Sequence, residues 1–250
     1  AEKEKNMIKV TVWSEYSHEN PNFERYKEEA GAVHPNGLHE TVADIVRELG
    51  DAVEVRTAHL WQEEQGLSQA LLDDTDVLIW WGHVRHYAVP DRIVERVCNA
   101  VASGMGLIAL HSTHQSKIFH RLMGTPCNLS WRENGDKVRN WVCDPSHPIA
   151  KGIDRYFELE HEETYCEPFS IPEPMETVFI GWYEGGECFR TGVTFKRGHG
   201  KIFYFQPGHE TYPIYYNKDV QLVIKNAINW AAPIYRDDDI LECHRINKTY

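Results

Sequence analysis

The stretch Gly104–His114, GMGLIALHSTH, constrains the fold more than any other part of the chain. Its apolar run, Leu107 to Leu110, is too short for a helix, is bounded by glycines, and breaks at once into His111, Ser112, Thr113 and His114. A buried strand of a parallel sheet ends in this way, apolar on both faces and polar where it leaves the sheet. Open α/β sheets bind ligands outside the carboxyl ends of their strands, so the residues after such a run are read as chemistry.

The flanking segments repeat the pattern. Met7–Trp13 predicts a first strand that runs out into Glu15, His18 and Glu19, with a short helix around Phe23–Ala30 beyond it. Leu38, Val42, Ile45, Val46 and Leu49 mark an amphipathic helix closed by Gly50, and Ala52–Ala58 a second strand. Leu67, Ala70, Leu71 and Leu72 supply a short helical face, after which Asp76–His83 (DVLIWWGH) is the third strand. Pro90 opens a helix with Ile93, Val94, Val97 and Val101 on one face; GLIAL is the fourth strand, and His114–Met123 its helix. Strands alternating with helices about every 25–30 residues require right-handed parallel crossovers.

Beyond Gly124 the pattern changes. Trp131–Arg132, Val138–Cys143, Phe157–Tyr165, Thr177–Tyr183 and Phe189–Phe195, with turns at Gly185-Gly186 and Gly198-His199-Gly200, predict antiparallel hairpins added to the sheet. Lys201–Gln206 reads as a late strand and Val220–Ala231 as the last helix, with Leu222, Val223, Ala227 and Trp230 on one face. The expectation is a single α/β domain over residues 1–250, its sheet mostly parallel, with a charged tail from about residue 232.

Charge excludes some functions. The formal net charge of -12, with no Lys/Arg block against 38 acidic residues, opposes a nucleic-acid or anionic-membrane partner. No apolar run approaches the roughly 20 residues needed to span a bilayer, and AEKEKNMIKV lacks the apolar core of a secretory signal, so a cytoplasmic location is expected. Six cysteines without a C-x-x-C pair read as reduced, mostly buried thiols. Neither a P-loop nor a G-x-G-x-x-G motif is present, which leaves nucleotide binding without support.

Histidine is over-represented, at 14 residues, and its positions matter more than its number. The ends of strands one, three and four meet at the switch point of a doubly wound sheet, which brings His18, His83 and His111 to one crevice. His209 follows the late strand, and HEETY supplies His161, Glu162, Glu163 and Tyr165. Imidazoles with a carboxylate suit a divalent ion, zinc first, so His18, His83, His111 and His209 are the expected ligands; the same groups also serve as acids and bases. Among the tryptophans, Trp80, Trp81, Trp131, Trp141 and Trp182 have flat faces suited to sugar rings, although core packing accounts for at least half of them. Trp81, next to Gly82 and His83, is placed nearest a ligand.

His111, Ser112, His209, Glu162 and Glu163 are thus the candidate catalytic residues, and Trp81, His83, His114, Tyr165 and Glu210 the candidate substrate contacts. A nucleophile elbow needs small flanking residues, but Ser112 sits among Leu110, His111, Thr113 and His114. A serine hydrolase using Ser112 with His209 as base is therefore the weaker enzymatic alternative.

Several motifs in order resemble the ThuA-like, or trehalose utilisation, family: the first strand, WWGH followed by His86, GLIALHSTH with its helix ending in Leu122-Met123-Gly124, HPIAKGI (147–153), HEETY, and GKIFYFQPGHETYP. The resemblance spans nearly the whole chain. It implies a flavodoxin-like, class I glutamine amidotransferase-like three-layer sandwich. Amidotransferases of that architecture carry a cysteine on the elbow and a later histidine–glutamate pair. Here His111 and Ser112 occupy the elbow and His209 and Glu210 match the pair, so glutaminase chemistry is not expected. The family implies a role in disaccharide catabolism alongside oxidoreductases that make 3-keto sugars, with a trehalose-like disaccharide or its keto derivative as the small-molecule partner. A non-catalytic sugar-binding or assembly subunit on the same scaffold is the alternative. A homo-oligomer is also expected, from the exposed tail and the many aromatics.

Overall fold

A computed structural model describes residues 7–243, with the side chains of 238 and 239 left aside. The end of the expected tail, residues 244–250, lies outside the described residues, as do residues 1–6. The strands are β1 (Ile8–Ser14), β2 (Val53–His59), β3 (Val77–Trp81), β4 (Gly106–Leu110), β5 (Ser130–Val142), β6 (Tyr156–Cys166), β7 (Glu176–Tyr183), β8 (Cys188–Arg197) and β9 (Gly200–Phe205). They form one sheet in the order β2-β1-β3-β4-β9-β8-β7-β5-β6.

Neighbours from β2 to β9 are parallel. From β9 through β8, β7 and β5 to β6 every pairing is antiparallel. The expectation of a mostly parallel sheet is therefore corrected: the sheet is mixed, and its longest ladder is the antiparallel one between β5 and β6. The physical reason lies in the connections. No α-helix lies between β5 and β9, so β5–β6, β7–β8 and β8–β9 fold back on one another, and β7 pairs antiparallel on the other side of β5.

Helices α1 (Glu28–Val33), α2 (Leu38–Arg47), α3 (Gln69–Asp73), α4 (Asp91–Ser103), α5 (Lys117–Met123) and α6 (Lys218–Ala231) belong to the parallel half. Helix α2 packs on β1 and β2 and touches α6, while α4 packs against α3, α5 and β9. Right-handed crossovers put these two groups on opposite faces, which explains why every residue of β3 and β4 is buried. Helix α4 turns Ile93, Val94, Val97 and Val101 inward as its spacing predicts. Helix α6 differs from expectation: Val220, Val223, Ile224, Ala227 and Ile228 are buried, whereas Leu222 and Trp230 stay half-buried at its flank. Each aliphatic side chain buried in this way contributes about 1.5–3 kcal/mol before the entropic cost of ordering it.

Strand β5 joins two segments that the sequence suggests are separate, because Asn134-Gly135, a turn signal, forms a bulge inside the strand instead of a hairpin tip. The cysteines are all free, but only Cys98 and Cys127 are buried, which corrects the expectation of mostly buried thiols.

A candidate active site at the seam of the sheet

Chain direction changes the character of the sheet at β9, and the polar residues gather at the carboxyl ends of the strands around it. After β4 the chain turns sharply: His111 takes φ +51°, a left-handed conformation that costs a non-glycine residue about 1–3 kcal/mol. A 3-10 turn over His111–Gln115 follows, and Ser116 caps α5 by accepting the Phe119 N–H at 3.2 Å. The elbow is kept, with an imidazole on it. His111 lies between two aromatic planes, Trp81 at 6.5 Å and Tyr165 at 5.4 Å between ring centroids. Its Nδ1–H donates to the Gln206 carbonyl at 2.9 Å, which leaves Nε2 to face the site.

Other strand ends bring the partners. Glu15, after β1, accepts the Val84 and Arg85 N–H groups at 2.9 Å and so folds the loop that carries His83. Glu162 on β6 accepts the Gly208 N–H at 2.8 Å and the His209 N–H at 3.2 Å, fixing the turn after β9. Gly208, at φ +147°, is required there: an added Cβ would overlap the Tyr215 hydroxyl and lie 3.4 Å from the His111 Cβ.

One ligand atom from each of His83, His111, Glu163 and His209 lies within 4.8 Å of the others. Three of these atoms, His111 Nε2, His209 Nε2 and Glu163 Oε2, are buried without a hydrogen-bond partner. His111 Nε2 and Glu163 Oε2 approach to 3.1 Å without hydrogen-bond geometry. Two donors on one tetrahedral zinc ion would stand about 3.4 Å apart, so the donor set fits such an ion both in kind and in spacing. Buried polar atoms are costly to leave unpaired, and convergence of several on one point is what a bound cation would satisfy.

His18 joins a second, adjoining group with His83 and Glu210. Glu210 accepts from His18 Nδ1 at 2.6 Å and from Lys27 Nζ at 2.8 Å, and its other oxygen is 2.9 Å from His83 Nδ1. That last contact is an ion-pair approach without hydrogen-bond geometry, and it sets a carboxylate charge beside the His83 ring.

Electrostatics follow the burial. Burial lowers the affinity of His111 for a proton, but Glu163 and Glu162 overcome it and raise its pKa to about 9. Burial would raise Glu163, yet His111 pulls it below the ordinary carboxylate range. Burial dominates at His209, bringing it down to about 3, and at Glu162, pushing it up to about 7 against its backbone N–H donors. For Glu210 burial is again opposed and outweighed, by His83 and His18, and its pKa falls well below normal.

A cavity of about 400 Å3 opens on this group, lined by His83, Ser112, His114, Trp131, Glu133 and Glu163 among others. Another, of about 540 Å3, lies between Lys9, Asp76 and Arg236 at the amino ends of β1 and β3, where Lys9 and Asp74 pair. No imidazole lines it. Of the expected site residues, His83, Ser112, His114, Glu163 and Tyr165 line the first cavity, while His18, Trp81, His111, Glu162, His209 and Glu210 do not. Trp81 is fully buried behind His111, its Nε1–H donating to the Gly208 carbonyl at 3.0 Å, so it supports the site from beneath and does not face the cavity. The Ser112 hydroxyl donates to the Gly82 carbonyl at 3.1 Å, and His114 Nδ1–H to the Cys127 carbonyl at 2.9 Å. His161 turns away, to the Gly135 carbonyl.

Glu133 and Lys27 were not singled out for the site by the sequence, and Trp131 only as one tryptophan among several. The one available signal was Asn134-Gly135 inside an otherwise alternating segment, since bulges cluster beside functional sites.

The model of the ThuA family, described as trehalose utilisation, matches residues 9–231. The chain belongs to the ThuA family. Among solved structures, one described as a ThuA-like protein from Parabacteroides merdae shares 13% identity at a TM-score of 0.65, covering 94% of this chain and 99% of that one. A Salmonella typhimurium protein described as cytoplasmic shares 12% identity at a TM-score of 0.61, over 90% and 100% of the two chains. A Thermoplasma acidophilum protein described as a GMP synthase component reaches a TM-score of 0.53 at 12% identity, over 89% and 93%. At these identities the solved structures show a shared fold. A comparison with curated proteins finds no match. Among the described residues no helix of this ThuA-family chain is long and apolar enough to cross a membrane.

Proposed function

We propose that this protein acts on a keto derivative of a trehalose-like disaccharide at the seam cavity, with His83, His111, Glu163 and His209 holding a divalent ion, zinc by preference. The observation that carries the reading is the convergence of three buried, unpartnered donor atoms beside a cavity with a large exposed aromatic at its rim. When bound, such an ion supplies Lewis acidity toward a sugar carbonyl. The chain's own groups do the rest. Trp131 offers an indole face to a sugar ring, Gln115 and Asn128 offer amides to its hydroxyls, and Glu210 keeps a negative charge beside His83. A sugar oxidoreductase that makes the keto group is the pathway partner this reading requires.

Metal analysis of the purified protein is the first test, with about one zinc per chain expected. His111→Ala and His209→Ala should each abolish turnover of a keto-disaccharide while circular dichroism stays native. A metal-free protein with both variants fully active would end this reading. Ser112, with its hydroxyl donated to Gly82, should remain unlabelled by a fluorophosphonate.

A further inference from the structure

One carboxylate at the cavity has no part in the reading so far. Glu133 lies in β5 where the strand leaves its register with β6. Arg132 pairs with Thr164 and Asp136 with Glu162, so Glu133, Asn134 and Gly135 stand opposite the single residue Glu163. Gly135 takes φ +68°, the left-handed backbone that lets the extra residues be accommodated.

Both feet of this bulge are tied down. Arg132 bonds Asp136 and Glu187, and the Thr164 hydroxyl donates to Asp136 at 3.0 Å. His161 Nδ1–H donates to the Gly135 carbonyl at 3.0 Å. Between the ties Glu133 reaches inward, its Oε1 3.3 Å from His209 Nε2, a buried atom without a hydrogen-bond partner that has Glu210 Oε2 farther off at 3.7 Å.

The glutamate on the bulge and the one in the opposing stretch of β6 differ. Glu163 is buried and belongs to the converging donor group, whereas the Glu133 side chain is 42% exposed, stands outside that group and lines the open cavity. Lys27, 2.8 Å from Glu210, lies within the field of both. A group held at the edge of a cavity, open to solvent yet aimed at the centre, can touch a substrate and exchange protons with water.

We propose that Glu133 is the acid–base residue of this site, delivered to the substrate by the β5 bulge. The inference rests on the keto-sugar reading. The Glu133 carboxylate takes the proton from the carbon beside the substrate carbonyl. The C–H electron pair becomes the carbon–carbon π bond and the carbonyl π pair moves onto oxygen, giving an enediolate on the imidazole side of the cavity. Glu133 holds the proton as a carboxylic acid and returns it to carbon, so no oxidant or further reactant is consumed.

The test incubates wild-type protein, Glu133→Gln and Glu133→Asp with 3-keto-trehalose in deuterium oxide and follows deuterium at the carbon beside the carbonyl by mass spectrometry. Zinc content, thermal midpoint and calorimetric affinity for the keto sugar are measured alongside. Wild-type protein should exchange, Glu133→Gln should exchange about 100-fold more slowly with zinc, midpoint and affinity unchanged, and Glu133→Asp should recover part of the rate. Exchange by Glu133→Gln at the wild-type rate overturns the role of Glu133 and leaves the keto-sugar reading standing. Loss of zinc from Glu133→Gln makes it a ligand and overturns the acid–base assignment. Wild-type protein that neither exchanges nor turns over the keto sugar overturns both readings.

Discussion

The two halves of the sheet contribute different groups to one site. The parallel half, β2-β1-β3-β4-β9, supplies every imidazole of the site from its strand ends, His18, His83, His111 and His209, with one carboxylate, Glu210, beside them. The antiparallel half supplies carboxylates from the body of a long hairpin, Glu162 and Glu163 on β6 and Glu133 on the β5 bulge. The parallel strands are covered on both faces, so polar groups can emerge only at their ends. Hairpin strands have one wetter face and can place a charged group at any second residue. A site that needs several nitrogen donors and a carboxylate is built most directly where the two kinds of sheet meet.

Acid should separate the halves with the largest effect. Burial lowers His34 and His39 to about 4, His86 to about 3 and His114 to about 4, and all four precede β5. In the unfolded chain these groups titrate near 6.5, so below that pH the unfolded state binds more protons. Their contribution is intact above about 6.5 and is lost as pH falls toward 4, on the order of 2–3 kcal/mol each. Glu19 and Glu162, raised to about 7, act in the opposite sense between about 4.5 and 7 but are only two. Hydrogen exchange of metal-free protein at pH 4.5 should show β1–β4 and α2 opening while β5–β8 stay protected. Equal opening of both halves would remove the distinction.

Next in size is the loss of turnover in His111→Ala or His209→Ala, about 1,000-fold for an essential acid–base or ligand group. Replacing Trp182, an exposed indole on β7 away from the seam cavity, should change nothing in the same assay. Gly208→Ala then tests the seam itself. The overlap with Tyr215 and the unfavourable φ should cost about 3 kcal/mol, read as a lower thermal midpoint. Trp131→Ala has the smallest expected effect, about tenfold in KM for a disaccharide with kcat and thermal midpoint unchanged, since a stacked ring is worth about 1–1.5 kcal/mol.

Much of the parallel half was legible because its signals are local. The runs at Val77–Trp81 and Gly106–Leu110 announce buried strands, and the histidines after them mark the crevice. What could not be read locally depends on partners far along the chain. The tautomer of His111 is set by the Gln206 carbonyl, 95 residues away, and Trp81 is buried because helices cover both faces of its strand. Asn134-Gly135 favours a hairpin tip when taken alone; only pairing with β6 on both sides makes it a bulge. Glu133 was invisible for the same reason, since its importance lies in what stands across the ladder.

The position of β9 has a consequence for how the chain is made. This strand sits between β4 and β8 but is made after both, the last strand among the described residues. Until about residue 205 has left the ribosome, β4 offers an open, wholly apolar edge and the β5–β8 hairpins have nothing to dock against. The nascent protein therefore carries two sticky half-sheets that only its own late insertion can join, which makes truncation just before β9 a route to aggregation and not to a smaller folded domain.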